Sequence, residues 1–299
     1  MKKNILITGS SGLIGAALLK YLTKEGYGVF RLKRSKVLKV NEFFWDPSRG
    51  EIDKLALKSI DVVVHLAGEP IAQRWSPSAK KRIVNSRVNG TRLLAETIAQ
   101  SQALPSLICA SGTNYYGDQS DGFVDESSPP GLGFLAEVCR QWESAANPAI
   151  QAGARVVFMR TGVVLSNHGG ALAKMLPFFK AGLGGRIGDG KQLMSWISLS
   201  DLVKAYTFVL EDDAANGALN AVAPDPVTNT SFTQILGNTL GRPTIFPIPR
   251  ILLKILYGEM GKETALASLR VQPARLKDLG FEWTHSDLRA ALRAILRNK

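Results

Sequence analysis

A glycine turn close to the start of the chain constrains its fold more than any other feature. Residues 4–8 have the apolar pattern of a strand, and Gly9, Gly12 and Gly15 follow three residues apart. The apolar residues at 13–22 then predict a helix that packs on a sheet. Glycine suits this joint because the backbone must turn sharply, approach a pyrophosphate and pack a helix against a strand. The free N–H groups at the helix start would face the phosphates.

The spacing G-x-x-G-x-x-G is one residue longer than the G-x-G-x-x-G form of dehydrogenases. No Gly-Lys-Ser or Gly-Lys-Thr is present, which excludes a nucleoside-triphosphatase P-loop. An ordinary structural turn remains the alternative for this segment taken alone. The pyrophosphate contacts are predicted at Gly9, Ser10, Ser11, Gly12, Leu13, Ile14 and Gly15.

The type of dinucleotide is predicted from the end of the second strand. Residues 29–32 form that strand, and Lys33 and Arg34 follow it directly. Proteins that prefer NAD place an acidic residue about 20 residues beyond the glycines, whereas a basic pair suits the 2′-phosphate of NADP. The alternative is a basic loop without a ligand. The sequence therefore predicts NADP in preference to NAD.

Strands and helices alternate through the next hundred residues. The apolar run 62–66 is typical of a buried parallel strand, and the small Ala67 and Gly68 at its end would let the cofactor lie close to the sheet. His65 is predicted to be a satisfied core residue. The other predicted elements are a helix from 77 to about 100, a strand at 107–110, a helix from 134 to about 150 and a strand at 155–160. This alternation predicts an α/β fold with a Rossmann-type, doubly wound parallel sheet.

The second half of the chain has a looser pattern. We predict an NADP-binding domain at 1–165, to which some later segments return, and a substrate-side region at 166–299 with a helical cap from about 245. The glycine-rich segment 182–190 would form a wall of the substrate cleft or a lid, or equally a structural turn. Residues 196–202 predict a strand that leads into a helix capped by Ser200 or Asp201.

Composition excludes several classes of protein. The chain has 299 residues, 45% of them hydrophobic, which is typical of a globular protein with a large core. No apolar run is long enough to cross a bilayer, and neither a signal peptide nor a metal site is indicated, so a cytoplasmic location is predicted. The net charge of +12 comes from residues spread over amphipathic segments, so no dedicated nucleic-acid role is predicted. Cys109 and Cys139 are expected to be buried free thiols.

Several short motifs together resemble one protein family. They lie at 45–47, 66–70, 86–87, 115–117, 134–140, 142–143, 160–165 and 195–197. This set resembles the extended short-chain dehydrogenase/reductase superfamily, and within it the "epimerase family protein" subgroup with a C-terminal domain of unknown function. The resemblance spans nearly the whole chain.

The resemblance implies an NADP-binding Rossmann domain and a smaller C-terminal portion that closes a substrate cleft. It assigns the pyrophosphate to the three glycines, the 2′-phosphate to Lys33 and Arg34, and adenosine or ribose contacts to Leu66 and Ala67. Further cofactor contacts are implied at Gly68, Glu69, Arg87 and Val163. Family members often pair through two helices, which would here be those starting at Pro77 and Phe134, so a homodimer is expected.

One departure from the family concerns catalysis. Working superfamily enzymes carry a Tyr-x-x-x-Lys pair on the helix after the serine-bearing strand, and the helix that starts at Phe134 has neither residue. Ser111 keeps a suitable place for a catalytic serine. Tyr116, Tyr115 or Glu69 would then carry the proton, although either tyrosine could equally be an aromatic of the cleft wall.

Two functions remain open from the sequence. The first is an NADP-dependent oxidoreductase or nucleoside-diphosphate-sugar epimerase-like enzyme that acts on a small polar carbonyl or sugar-like substrate. The second is a catalytically silent protein that binds NADP and reports redox state to a partner. The intact cofactor motifs and the glycine-rich second half favour the enzyme, by analogy of fold.

Overall fold

Strands and helices alternate along the chain, as the apolar pattern predicts. The computed structural model describes residues 2–37, 39–119 and 122–297. The strands are β1 (Asn4–Thr8), β2 (Gly28–Lys33), β3 (Glu42–Asp46), β4 (Glu51–Ile52), β5 (Val62–His65), β6 (Ser106–Gly112), β7 (Val156–Thr161), β8 (Val163–Leu165), β9 (Leu193–Met194), β10 (Trp196–Ser198), β11 (Gly217–Ala221) and β12 (Val227–Thr228). The helices are α1 (Leu13–Lys24), α2 (Pro77–Ala99), α3 (Phe134–Ser144), α4 (Asn147–Gln151), α5 (Gly170–Lys180), α6 (Leu199–Glu211), α7 (Asn229–Leu240), α8 (Arg250–Glu263), α9 (Ala274–Asp278) and α10 (Leu288–Arg297).

Eight of the strands form one sheet, in the order β11-β7-β6-β5-β1-β2-β3-β4. Neighbouring strands are parallel except for β3 and β4. Because β1 pairs with both β2 and β5, the strand order reverses there. Ligands of doubly wound folds bind in the crevice that such a reversal opens at the carboxyl ends of the strands. The predicted Rossmann-type α/β fold is confirmed.

The sheet is covered on both faces, because successive residues of a strand point to opposite sides. Ile5 and Ile7 of β1 belong to the core beneath α1 and α6. Leu6, between them, belongs to the core beneath α2, α3 and α4. Burying each such side chain contributes roughly 1.5–3 kcal/mol. A third core, around Trp196 of β10, joins α5, α7 and α10.

Two predicted details differ in the structure. The helix expected from 134 to about 150 is two helices, and Pro148 lies in the first turn of α4, where its missing N–H costs nothing. The cap of α6 is Ser198, whose hydroxyl oxygen accepts from the Asp201 N–H at 3.0 Å, so the prediction of Ser200 or Asp201 was wrong. Asp201 is instead buried, and its carboxylate accepts from the backbone N–H groups of residues 284 and 285.

Strand β11 comes late in the chain, but it is the edge strand of the eight-stranded sheet, beside β7. The boundary at residue 165 stays a prediction. In the part of the chain that the structure describes, no helix has the length and apolar character needed to cross a membrane.

Candidate functional site

The glycine turn joins β1 to α1 at the carboxyl edge of the sheet. Gly9 has a φ of 66°, and a Cβ there would lie 2.7 Å from the carbonyl carbon of Leu66. A Cβ on Gly15 would lie 2.3 Å from the carbonyl oxygen of Gly9. Both neighbours are backbone atoms, which cannot move aside as the end of a flexible side chain can. Packing alone therefore requires glycine at these two positions.

Gly12 differs from the other two glycines of the turn. A Cβ there would meet one protein atom, the Gly9 carbonyl oxygen at 3.4 Å, and the backbone angles (φ −76°, ψ 171°) suit any residue. Gly12 precedes α1, whose start has no side-chain cap and no acidic residue in its first turn. The helix therefore presents N–H groups to open space, which is the environment that binds phosphate.

Thr8 ties the turn to β5 across the crevice. Its hydroxyl oxygen accepts from the N–H groups of Leu66 (3.1 Å) and Ala67 (3.2 Å) and lies 2.7 Å from Nδ1 of His65. The hydroxyl hydrogen is then directed at Nδ1, which places the ring proton on Nε2. Burial lowers the pKa of His65 to about 3, so the ring stays neutral. Among the described residues Nε2 has no partner, so the predicted satisfied histidine is satisfied at one nitrogen.

Lys33 is the last residue of β2, the strand that pairs with β1, and Arg34 follows it directly. Lys33 is half-buried and Arg34 is exposed. Neither forms an ion pair with any residue in the ranges that the structure covers. Both positive charges are therefore free to meet an anion beyond the end of β2.

Arg87 of α2 is a buried cation whose hydrogen bonds go to carbonyl groups. Its Nη1 donates to the backbone oxygens of Glu69 (3.0 Å) and Ile83 (3.2 Å), and its guanidinium lies 5.0 Å from the ring of Trp142. Desolvation lowers the pKa of Arg87, and the charge interactions with Cys139 and Glu69 oppose this shift only in part. A Cβ on Gly68 would lie 3.2 Å from the guanidinium carbon. Arg87 thus packs against the 67–69 segment and holds it by the hydrogen bond to the Glu69 carbonyl oxygen.

Two other predicted cofactor residues have partners of their own. The Glu69 carboxylate accepts from Gln73 (3.2 Å) and from Arg82 (3.4 Å). Val163 starts β8 and donates its N–H to the carbonyl oxygen of Ser195 (2.9 Å). The cofactor roles of both residues stay predictions.

A buried polar network joins the ends of β6, β7 and β11. The Ser111 hydroxyl donates to Glu143 (2.7 Å), and Arg160 donates to both oxygens of the same carboxylate (2.9 and 2.8 Å). The Tyr116 hydroxyl donates to the Asn220 side-chain oxygen (2.8 Å) and accepts from Arg160 (3.0 Å). Ser111 and Tyr116, two of the predicted catalytic residues, therefore have their hydroxyl protons directed at other protein atoms.

The charged groups of this network stabilise one another, as the pKa of Arg160 shows. Burial by itself would lower the pKa of Arg160, but its hydrogen bonds and charge interaction with Glu143 outweigh that and raise it. Burial also raises the pKa of Tyr116 to about 12, despite the opposing effect of Arg160. Tyr116 is fully buried. At neutral pH it is a protonated phenol inside the protein.

Tyr115 is placed differently from its neighbour. Its ring centroid lies 3.4 Å from the guanidinium carbon of Arg160, and the ring meets that of Tyr116 nearly edge-on. Tyr115 is half-buried, and its hydroxyl makes no hydrogen bond to the residues that the structure describes. Of the three predicted catalytic hydroxyls, this one is free.

Helix α3 reads FLAEVCRQWES and so has neither tyrosine nor lysine. Its buried Cys139 has a pKa raised to about 11, mainly by burial and also by the negative charge of Glu143. The sequence analysis did not single out Glu143, Arg160 or Asn220 as site residues. A charged residue such as Arg160 at the end of an otherwise apolar strand was the available signal for a buried partner.

The sheet, the strand reversal and the glycine turn define a Rossmann-type dinucleotide-binding protein. A family model described as "NAD dependent epimerase/dehydratase family" matches residues 5–221, and one described as a domain of unknown function (DUF1731) matches residues 248–295. The chain belongs to the NAD dependent epimerase/dehydratase family. The resemblance predicted from its motifs is confirmed.

Similar proteins occur in bacteria, plants and animals. The epimerase family protein Mb2239 of Mycobacterium bovis is 43% identical, over 96% of each chain. The crystal structure of the human epimerase family protein SDR39U1 with NADPH has 33% identity and a TM-score of 0.89, covering 99% of this chain and 100% of that one. A nucleoside-diphosphate sugar epimerase of Corynebacterium glutamicum has 39% identity and a TM-score of 0.84, covering 99% of this chain and 58% of that one.

Proposed function

We propose that this protein binds NADPH and acts as an NADP-dependent oxidoreductase of the epimerase type, reducing a carbonyl group or oxidising the corresponding alcohol. The observation that carries the proposal is the open space over Gly12, together with two cations at the end of β2, Lys33 and Arg34, that form no ion pair with the described residues. The N–H groups at the start of α1 would bind the pyrophosphate, and the two cations would bind the 2′-phosphate. The NADPH-bound structure of the human relative supports this assignment.

NADPH supplies a hydride to the carbonyl carbon, and the carbonyl oxygen then needs a proton. We assign that proton to Tyr115, because its hydroxyl is free while those of Ser111 and Tyr116 are directed at Glu143 and Asn220. The phenol proton passes to the substrate oxygen, an alcohol leaves, and the phenolate regains a proton from water. Arg160, stacked on the ring, fixes its orientation.

The test combines binding with turnover. NADPH binding is measured from the fluorescence of the nicotinamide, and oxidation at 340 nm is followed with aldehydes, ketones and nucleotide sugars. With an active substrate, Tyr115→Phe should lower kcat about a hundredfold or more and leave the NADPH Kd unchanged. Tyr21→Phe, at an exposed position of α1, is the matched control. Absence of NADPH binding contradicts the whole proposal, and full turnover by Tyr115→Phe removes that residue from the mechanism.

The second candidate is the silent NADPH-binding redox sensor. Two observations favour it: the hydroxyls of Ser111 and Tyr116 are committed to the network, and α3 carries no Tyr-x-x-x-Lys pair. Tight NADPH binding without turnover of any substrate in the panel would favour the redox-sensor function over the enzymatic one.

A further inference from the structure

Helix α8 is broken near its end. The backbone is non-helical at Gly258 (φ 56°, ψ −133°), so the residues 259–263 do not continue the direction of the residues before them. Beyond the break, the Glu259 carboxylate pairs with Nζ of Lys80 on α2 at 2.5 Å, and the Glu263 side chain reaches the start of α3. The end of α8 is therefore held by two helices that cover the sheet, although it comes from the C-terminal part of the chain.

Glu263 supplies the cap that α3 lacks. Gly133, at the N-cap of this helix, has no side chain to accept from the first N–H groups. The N–H groups of Phe134 (2.9 Å) and Leu135 (2.8 Å) instead donate one to each oxygen of the Glu263 carboxylate, where the helix dipole also favours a negative charge. A Cβ on Gly133 would lie 3.1 Å from the carboxyl carbon of Glu263, so the absence of a side chain leaves room for this contact.

The segment before α3 is packed directly on the residues around Tyr115. The Gly131 N–H donates to the Tyr115 carbonyl oxygen at 2.9 Å. A Cβ on Gly131 would lie 1.9 Å from the Tyr116 carbonyl oxygen, and a Cβ on Gly117 would lie 2.7 Å from the Leu132 carbonyl oxygen. Backbone thus lies against backbone, with no flexible side chain between the two segments. A displacement of the segment that leads into α3 would therefore displace Tyr115 as well.

Glu263 also reaches Tyr115 by a second route. The side-chain amide of Asn114 donates to the Glu263 carbonyl oxygen at 3.3 Å. Asn114 directly precedes Tyr115 on the 3-10 turn Thr113–Tyr116. Glu263 therefore holds this turn through its main chain, and it holds the segment packed on the turn through its side chain.

Tyr115 depends on contacts of this kind more than its neighbour does. The Tyr116 hydroxyl is fixed by Asn220 and Arg160, whereas the Tyr115 hydroxyl makes no hydrogen bond within the described part of the chain. Arg160 lies on the face of the Tyr115 ring and restrains its plane. The position of the ring within that plane must then come from the main chain of the turn.

We propose that Glu263 is a positioning residue for the reaction: it fixes the turn that carries Tyr115, so that the phenol hydroxyl is held where the substrate oxygen takes its proton. The inference rests on the proposed function and adds to it a residue from the C-terminal part of the chain. Glu263 acts through Asn114 and the start of α3, and it neither contacts the substrate nor transfers a proton.

The first test is kinetic. With a substrate that the wild type turns over, Glu263→Ala should lower kcat about tenfold to a hundredfold and leave the NADPH Kd unchanged, because a misplacement of about 1 Å can cost roughly a hundredfold in rate. The side-chain atoms that this variant lacks are those of acetate. Added acetate should therefore bind at the start of α3 and restore most of the lost kcat, whereas chloride at the same ionic strength should not.

A matched control removes a different carboxylate from the same end of the same helix. Glu137 lies in the first turn of α3, where its exposed side chain pairs with Arg140 and makes no contact with the turn that carries Tyr115. Glu137→Ala should therefore keep the wild-type kcat. The control separates the position of Tyr115 from the general effect of charge on the helix.

The second test needs no turnover. The chain has six tyrosines, so protein labelled with 3-fluorotyrosine gives a fluorine NMR resonance for each of them, and the resonance missing from Tyr115→Phe is that of Tyr115. Glu263→Ala should shift or broaden this resonance, acetate should restore it, and Glu137→Ala should leave it in place. If Glu263→Ala does not fold, Glu263→Gln, which keeps one acceptor oxygen, should give a smaller change of the same kind.

Three results would overturn the inference. They are an unchanged Tyr115 resonance in a folded Glu263 variant, an equal change in Glu137→Ala, and a loss of kcat that acetate does not restore. NADPH binding and turnover by the wild type are measured separately. If the wild type neither binds NADPH nor turns over any substrate, the proposed function fails, and the fluorine resonance still decides whether Glu263 positions Tyr115. If the wild type is active and any of the three results is found, the role of Glu263 alone fails.

Discussion

The glycine turn and the Ser111–Glu143–Arg160 network lie at the same edge of the sheet but are built in different ways. In the turn, backbone atoms leave no room at Gly9 and Gly15, whereas a Cβ on Gly12 would meet only the Gly9 carbonyl oxygen, at 3.4 Å. In the network, side chains from β6, α3 and β7 satisfy one another. The shape of the turn is thus set by local backbone geometry. The network depends on contacts between residues that are distant in the chain.

The largest expected effect comes from breaking the network. Glu143→Ala leaves Arg160 buried without its carboxylate, and removing one partner of a buried pair costs about 3–5 kcal/mol of the free energy of unfolding. Urea unfolding measures the loss. Glu137→Ala, on the same helix but in an exposed pair with Arg140, should cost less than about 1 kcal/mol. Equal losses in the two variants would mean that the network has no special role in stability.

The next prediction concerns two glycines of the turn: substitution of Gly15 should lower stability, and substitution of Gly12 should weaken NADPH binding. Gly15→Ala forces a Cβ against the Gly9 carbonyl oxygen, so we expect it to lower the free energy of unfolding by about 1–3 kcal/mol. Gly12→Ala should leave stability nearly unchanged but weaken NADPH binding about tenfold or more, because the methyl group occupies the space of the pyrophosphate. Thermal unfolding and fluorescence titration measure the two quantities. Wild-type NADPH affinity in Gly12→Ala would show that the ligand lies elsewhere.

This contrast explains what the sequence could predict. The turn was predictable because Gly9, Gly12 and Gly15 act through backbone geometry within a dozen residues. The network was not, because Glu143 and Arg160 meet Ser111 only after two further elements have packed. A helical cap from about 245 was predicted, but the apolar pattern of α8 is also typical of a core helix, so its exposure could not be read from the sequence.

A smaller effect concerns the choice of cofactor. Replacing Lys33 or Arg34 by alanine removes a charge from the 2′-phosphate, and a charge-assisted hydrogen bond contributes about 1.5–3 kcal/mol. We expect the NADPH Kd to rise about tenfold or more in each variant, while the NADH Kd stays the same. Competition titrations with both cofactors make NADH the internal control. A parallel loss of NADH affinity would indicate that the loop is distorted and would contradict the assignment.

The smallest effect tests whether Tyr116 belongs to the structure or to the chemistry. Its pKa is raised by burial from 10.0 to about 12. Because the folded pKa lies above the unfolded one, the stabilisation is fully present below about pH 10 and is lost as the pH rises towards 12. The absorbance of wild type minus Tyr116→Phe at 295 nm should therefore show no phenolate signal below about pH 11. The other buried tyrosines, present in both proteins, cancel. A phenolate that forms near pH 8 would instead make Tyr116 a candidate base and would move the catalytic assignment away from Tyr115.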